Sequence, residues 1–501
     1  MPDGAEIPET PAPPDARERP RVGVDEWVAQ VEERRVRHRG LAGLVRRAWD
    51  ATPPPARLFV FVAFAASLPF FLSTGNLFAY GLFTLLYALL GLGLNTVVGF
   101  AGLLDLGYVA FYGFGAYFYA LLSSGHYGIH WQAEAAIPVI VVAAAFLGLL
   151  LGLPSRRLLG DYLAIVTLFF GQAFVVFVNN ANPTVAGVGL TGGPGGIAGV
   201  DPLNLFGFEL TTYKDYYYFL LAAFVVVIAA LYFVSESRTG RAWRALREDP
   251  LAAEAMGMPV NRLKLMAFAF GAGIAGFCGC VFAALQTGVF PGNFDVSFLI
   301  TIYAVVVLGG MGSLTGVVIG AIVINVSFEL LSPASGRPDQ ARLLFYGAIF
   351  VVLIAKVRPW SRLATVLAGT VAFGFAIYAI VNAVASSWTT GSVTEIRGTG
   401  EQAHGFAAAI QHWVIIPSGH GRFGAYAYVG LIVAVLVLTR LRGWWRTLAF
   451  VPTLYLVAIV WENLLAEQPS VTRLILFGAL LIALMNARPQ GLLGTARVEI
   501  M

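Results

Sequence analysis

Apolar runs of about 20 residues, separated by short polar connectors, recur from Arg57 almost to the end of the chain, and each is long enough to cross a bilayer as a helix. They fall at 57–73, 77–99, 107–122, 134–153, 161–178, 216–234, 265–286, 296–309, 315–331, 342–357, 363–385, 425–439, 446–465 and 473–487. The pattern predicts an all-α polytopic integral membrane protein, a multi-helix bundle with about ten core spans and about four extra C-terminal spans. The third run is short and glycine-rich, so a re-entrant path is open to it as well as a crossing. Before the first run the pattern changes. Residues 1–22 are rich in Pro and charge and read as disordered. At 24–49, Val24, Trp27, Val28 and Val31 recur at helical spacing, and six arginines follow from Arg34 to Arg47. A basic amphipathic helix on the membrane surface is expected there. No apolar stretch stands near Met1, so a cleaved signal is not expected.

Composition agrees with a membrane protein: 58% of residues are apolar and only 12% charged, where a soluble domain carries about a quarter charged. The formal charge of +4 is informative through its placement and does not point to nucleic acid. With the N-terminus in the cytoplasm and the runs alternating, all Lys and Arg except Lys214, Arg337, Arg342, Arg397, Arg422 and Arg473 fall inside. The expected topology is therefore N-in and C-in. Cys278 and Cys280 lie two residues apart in one apolar helix, read as small buried side chains.

Catalytic chemistry is absent from the pattern. The chain has no phosphate-binding G-x-x-x-x-G-K-[ST] loop and no H-E-x-x-H or paired-Cys motif, so no catalytic residue, metal site or cofactor is expected. Asp105, Glu134, Asp161, Glu329 and Glu462 stand at the ends of runs, where a proton-coupled carrier would place them at mid-membrane. Three polar stretches remain as candidates. Residues 91–117, GLGLNTVVGFAGLLDLGYVAFYGFGAY, interrupt an apolar helix with seven glycines, Asn95 and Asp105. Glycine at that density allows either close helix packing or broken backbone lining a pathway. Asn95, Asp105, Tyr108, Tyr112 and Gln172 are the pathway candidates, and for Asp105 a capping role is equally open. Thr191, Gly192 and Gly193 begin a TGGPGG stretch that cannot be helical and reads as an outer loop for docking or gating, or as an ordinary connector. Residues 235–264 form a basic cytoplasmic loop with room for two short helices. Arg241, Arg244 and Arg247 belong to the first. Asp249 caps the second, Pro250 suits its first turn, Glu254 is its acid and Gly257 ends it. Paired start and stop signals point to a rigid element for docking a partner.

At these residues the chain resembles a known family. GLLDLGYVAFYGFGAY (102–117), GDYLAIVTLFFG (160–171), LTGGPGGI (190–197), SRTGRAWRALREDPLAAEAMGM (237–258), VLGGMGSLTGVVIGA (307–321) and RPQGLLG (488–494) are similar to the LivM-type permeases of bacterial branched-chain amino-acid ABC importers. The resemblance implies a transport subunit in the inner (plasma) membrane and not an enzyme. It implies a second homologous permease subunit, two cytoplasmic ATPase subunits and an extracytoplasmic solute-binding protein. It makes 238–258 the ATPase-coupling loop, with Glu254 and Gly257 on its acid-to-glycine signature. Three departures stand out. Gln172 replaces an acid, Val317 replaces a proline, and the closing RPQGLLG comes more than a hundred residues after the helix it should follow. The expected organisation is an N-terminal segment at 1–56, a permease core at 57–360, an insertion at 361–472, and a terminal helix and tail at 473–501. A weak internal repeat places Glu329 opposite Arg342 and Glu462 opposite Arg473 across two hairpins. As surface ion pairs these would be worth about 0–1 kcal/mol. The competing readings are a permease for urea, short amides or a sugar, and a membrane scaffold or receptor.

Overall fold

The computed structural model describes residues 54–155, 161–181, 184–185, 188–330, 345–347, 349–350, 353, 360–389, 410, 412–417, 422–441, 443–465, 478 and 491–492. The N-terminal helix expected at 24–49 and the runs at 342–357 and 473–487 lie largely or wholly outside them, as do Arg342 and Arg473. The chain divides into two units, 1–67 and 68–501. Of the first, residues 54–67 are described, all helical, opening α1 (Pro54–Phe71).

The second unit is a helical membrane bundle. Helix α2 runs over Thr74–Phe100, α3 over Tyr108–Leu122, α4 over Ala133–Ser155, α5 over Asp161–Asn180 and α6 over Tyr213–Glu236. Two short helices follow, α7 (Arg238–Glu248) and α8 (Pro250–Ala255). Then come α9 (Val260–Gln286), α10 (Val296–Gly309) and α11 (Leu314–Leu330). Beyond them lie α12 (Trp360–Val384), α13 (Phe423–Arg440) and α14 (Trp444–Val460). Among the described residues nine helices are long and apolar enough to cross a membrane. Three shorter apolar ones, at Phe61–Phe71, Tyr108–Leu122 and Leu314–Glu329, accompany them.

α9 is the axis of the bundle and packs chiefly on α3, α4 and α2, while α10 and α11 form a hairpin against α2. With no hydrophobic drive between helices in lipid, close approach depends on small residues. A side chain at Gly115 of α3 would run into the Gly276 carbonyl of α9, and Gly279 of α9 faces the Tyr112 carbonyl in the same way. The cysteines sit in this seam, both buried and free, with Cys280 Sγ 3.2 Å from the Gly276 carbonyl.

α2 is not a regular helix. Its backbone widens into π turns at Leu77–Leu82 and Thr96–Phe100, a distortion that frees carbonyls and often marks functional positions. Asn325 of α11 occupies the first, its Nδ2 donating to the Ala79 carbonyl at 2.8 Å and to Thr84 Oγ1 at 2.9 Å.

The connectors gather at two ends. At one end four two-stranded ribbons form. They are β1 (Ser123–Ser124) with β2 (Ile129–His130), β3 (Thr184–Val185) with β4 (Val188–Gly189), β5 (Ile197–Ala198) with β8 (Gly288–Val289), and β6 (Asn204–Leu205) with β7 (Phe208–Glu209). The β1–β2 ribbon is tied to the stretch after β5 by the Ser124–Val200 bridge, by Asp201 N–H donating to the Ser123 carbonyl at 2.8 Å and by His130 Nδ1 against Asp201 Oδ2 at 2.6 Å, and to β4 by His126 Nε2 against the Gly189 carbonyl at 2.8 Å. At the other end lie α7, α8, the 101–107 connector and the 310–313 turn. α3 leads from the 101–107 connector to β1, so it joins the two ends and is a crossing helix, not a re-entrant one.

α12, α13 and α14 have a core of their own. Phe345, Ile410, Val414, Ile416, Tyr455 and Trp461 are buried together, with Phe345 stacked on Trp461 at a centroid distance of 3.8 Å. Trp413 Nε1 donates to the Val371 carbonyl at 3.1 Å, and Tyr455 OH to the Trp413 carbonyl at 3.1 Å. Glu462 is buried, with the Tyr346 hydroxyl donating to it at 3.4 Å, so its carboxylate is not at a water-facing surface as the hairpin reading supposed. After this module the chain returns to the bundle: Leu492 N–H donates to the Leu308 carbonyl of α10 at 2.9 Å.

Candidate coupling and translocation site

The loop between α6 and α9 is built from its sequence signals. Ser237 caps α7, accepting from Gly240 N–H at 3.4 Å. α7 turns Trp243 and Leu246 inward, and Trp243 Nε1 donates to the Leu263 carbonyl of α9 at 2.9 Å. Asp249 Oδ1 then accepts from Leu251 and Ala252 N–H at 2.8 and 3.1 Å, starting α8 with Pro250 in its first turn. α8 stops at Gly257, whose φ of +78° admits an L side chain only under strain. The Met258 N–H closes the turn on the Ala253 carbonyl at 3.1 Å. Nothing crowds Gly257, so the requirement there is conformation rather than space.

The three arginines serve this scaffold. Arg241 Nη1 donates to the Glu236 carbonyl at 2.8 Å and Arg244 Nη2 to the Ser235 carbonyl at 3.0 Å, covering carbonyls that the end of α6 leaves open. Arg247 turns inward, its Nη1 donating to the Gly99 carbonyl of α2 at 2.6 Å. The face left to solvent is α8 itself. Glu254, Ala252 and Ala255 are exposed, Leu251 is 72% exposed and Met256 80%. Ala253 alone on α8 is buried.

Below this loop the pathway candidates form a packed cluster. Asn95 is fully buried, and its Oδ1 accepts from Gly312 N–H at 2.8 Å, pinning the α10–α11 turn to the second π turn of α2. Asp105 lies in the connector before α3. Its Oδ1 accepts from Gly107 N–H at 2.9 Å, and its backbone carbonyl accepts from Tyr303 OH at 2.6 Å. Burial pushes its carboxyl up to about 7, against the lowering effect of the Gly107 N–H. Thr167 Oγ1 of α5 accepts from Leu106 N–H at 2.9 Å. Tyr108 is buried against Gly93 of α2. Asn95 thus lies beside Gly99, whose carbonyl Arg247 binds, while Asp105 and Tyr108 are buried close by, in the 101–107 connector and at the start of α3. Tyr112 is buried a turn further along α3 among aromatic rings, and Gln172 is exposed on α5. At the opposite end Thr191 is buried, its Oγ1 donating to the Val178 carbonyl of α5 at 2.7 Å. Gly193 opens a single 3₁₀ turn, Gly193–Gly195.

Tyr303, Thr167, Asn325, Leu251 and Met256 were not singled out from the sequence. Thr167 and Asn325 carried a signal, a hydrogen-bonding side chain within an apolar run. Leu251 and Met256 carried none, because exposed apolar residues in a short loop helix look like any others.

The described residues thus form a polytopic helical bundle with a capped surface helix at one end, and the family of the chain says what such a bundle serves. Residues 76–354 match the family described as branched-chain amino acid transport system / permease component, and the chain belongs to it. It is 37% identical to the high-affinity branched-chain amino acid transport system permease protein LivM of Escherichia coli K12, over 61% of this chain and 75% of that one. It is 35% identical to LivM of Salmonella typhimurium, over 64% and 78%. The permease protein LivH of Salmonella typhimurium is 25% identical, over 54% and 88%. No solved structure matches the chain.

Proposed function

We propose that the chain is the LivM-type subunit of an ATP-driven importer of branched-chain amino acids, placed in the inner membrane with both termini in the cytoplasm. The observation that carries this is α8, capped at Asp249 and stopped at Gly257, which presents Leu251, Glu254 and Met256 to solvent while Arg247 anchors its base to α2. A short rigid helix with an apolar exposed face fits a groove on a partner. The chain has no phosphate loop of its own, so energy enters from an ATPase seated there. Two ATPase subunits, a second permease related to this one and an extracytoplasmic solute-binding protein complete the complex. Residues 361–472 are then an insertion that leaves the core intact, in keeping with the return of Leu492 to Leu308.

The route runs along α2 and α3, past residues 91–117. Asn95, Asp105 and Tyr108 stand where movement of α8 through Arg247 would reach the pathway helices first. Uptake of labelled leucine, isoleucine, valine and urea by the complex in proteoliposomes tests the assignment. ATP-dependent accumulation of the branched-chain amino acids supports it. Accumulation of urea alone would replace the solute, and no accumulation of any would leave a scaffold.

A further inference from the structure

We propose that the cavity between α12 and α14 holds one anionic phospholipid, with its phosphate at the arginine-rich mouth and an acyl chain along the apolar floor. The proposal concerns residues 361–472, to which the transport reading above gives no task, and it does not depend on that reading.

The cavity encloses about 350 Å³, a size that small-molecule sites have. It is lined by Thr365 and Val366 of α12 and by Trp444, Thr447, Leu448 and Val451 of α14. Further along, the two helices close up: a Cβ at Gly369 of α12 would stand 3.2 Å from Val451 Cγ2. They therefore part toward the end where α12 begins and α13 turns into α14. Thr365 lies one turn nearer that end than Gly369, and Thr447 one turn nearer than Val451. The threonines thus stand toward the mouth and the aliphatic side chains toward the floor.

The charge around the mouth has one sign. Segments 356–362 and 440–446 carry Lys356, Arg358, Arg362, Arg440, Arg442 and Arg446 and no acid. From residue 340 to residue 461 the acids are Glu395 and Glu401, both in the connector at the opposite end of α12. Arg440 and Arg446 are exposed, and neither meets a carboxylate among the described residues. Arg446 Cζ lies 5.9 Å from the Phe450 ring centroid, which holds its charge at the edge of the apolar surface. The Trp444 and Trp445 rings are 4.3 Å apart, and the two residues are 64% and 56% exposed. Exposed indoles at the start of a membrane helix belong to the headgroup layer, and the arginine excess marks the cytoplasmic side, whose leaflet is anionic.

Three kinds of anion answer such a mouth, and the floor chooses among them. Inorganic phosphate would leave the aliphatic walls uncovered. An acidic protein surface would meet the arginines and leave the cleft between the helices empty. A phospholipid meets both: its phosphate oxygens accept from arginine and from Thr447, while a chain covers Val366, Val451 and the half-exposed Leu448.

The test uses the full-length chain, purified in detergent and stripped of lipid. The probes are dioleoyl phosphatidylglycerol, dioleoyl phosphatidylcholine and inorganic phosphate. Native mass spectrometry is expected to show one saturable phosphatidylglycerol, bound more tightly than phosphatidylcholine and not displaced by inorganic phosphate. Arg440→Gln and Arg446→Gln should each weaken it about 5-fold, the worth of one arginine near an anionic surface. Thr447→Trp fills the cavity and keeps every charge, so it should abolish the saturable lipid. Equal binding of the two lipids, displacement by phosphate, or undiminished binding to Thr447→Trp overturns the proposal. If that variant does not fold, the unmodified chain decides, with phosphatidylglycerol carrying a photoreactive group on its acyl chain. Adducts are expected within 365–369 and 444–451, and adducts confined to other helices refute the site. An Arg446→Gln chain that keeps its lipid but no longer holds the ATPase subunits would make the mouth a protein contact, and the proposal would fall.

Discussion

Arg247 of α7 donates from Nη1 to the Gly99 carbonyl of α2 at 2.6 Å. Gly99 lies in the second π turn of α2, where the carbonyls are not all used by the helix. One guanidinium therefore links the surface loop to the distorted end of a core helix. Asn95, immediately before the same turn, clamps Gly312 and ties in the α10–α11 hairpin.

Replacing Arg247 with Ala strands that carbonyl in a partly buried place, at a cost of about 1–3 kcal/mol. The expected phenotype is a permease that still inserts and still holds its ATPases but imports little solute per ATP hydrolysed. Arg247→Lys, a point donor on a flexible stem, should recover only part of the coupling. Measured transport-to-hydrolysis ratios equal to those of the unmodified complex would remove Arg247 from the relay.

Asn95→Leu keeps the volume but leaves Gly312 N–H without an acceptor inside the bundle. Purified in detergent, the variant should lose about 1–3 kcal/mol of stability and unfold at lower temperature. Because Asn95 and Tyr108 are fully buried here, cysteines placed at either site should resist water-soluble thiol reagents at rest and react during ATP turnover. Resistance under both conditions would make this cluster packing alone.

Most of the described helices and the two-helix loop were legible because hydrophobic runs and caps are local signals, whereas the short, glycine-rich run of α3 left its crossing path open. Asp249, Pro250 and Gly257 could be read one by one as start and stop. The direction in which Arg247 points was not legible, because charge alone does not tell a partner-facing arginine from one that caps carbonyls two helices away. Asn95 was found as a polar residue at bilayer depth, yet its partner, a backbone N–H more than two hundred residues later, has no sequence signature.

Leu492 N–H covers the Leu308 carbonyl, one of those that the last turn of α10 leaves without an internal partner. Ending the chain after Gln490 should uncover it, at a cost of about 0.5–1.5 kcal/mol for that bond. The effect should appear as a lower unfolding temperature of the purified protein and faster amide exchange in the α10–α11 turn. Unchanged exchange there would show that the tail rests on the turn without stabilising it.

The exposed face of α8 gives the most discriminating prediction. Leu251 and Met256 each leave most of a large apolar side chain in water, and Glu254 is exposed on the same short helix. Among the described residues α8 is held by Asp249, Ala253 and Gly257, and the Leu251 and Met256 side chains are largely left out of the packing. Leu251→Asp and Met256→Asp should therefore leave folding and insertion intact and release the ATPase subunits from the membrane. Glu254→Lys should weaken the same contact through charge. Gly257→Val acts differently. An L residue in the left-handed region costs about 1–2 kcal/mol, and a β-branched one more, so the turn after α8 should shift and the helix should present its face at the wrong angle. Gly257→Asn, which tolerates that conformation, should retain coupling. Co-purification of the ATPases separates the two mechanisms. Loss of binding is expected for the Asp variants, and bound but poorly coupled ATPase for Gly257→Val. If the Asp variants kept both the ATPases and normal uptake, α8 would be no docking helix, and the energy input would have to enter at another surface of the same end.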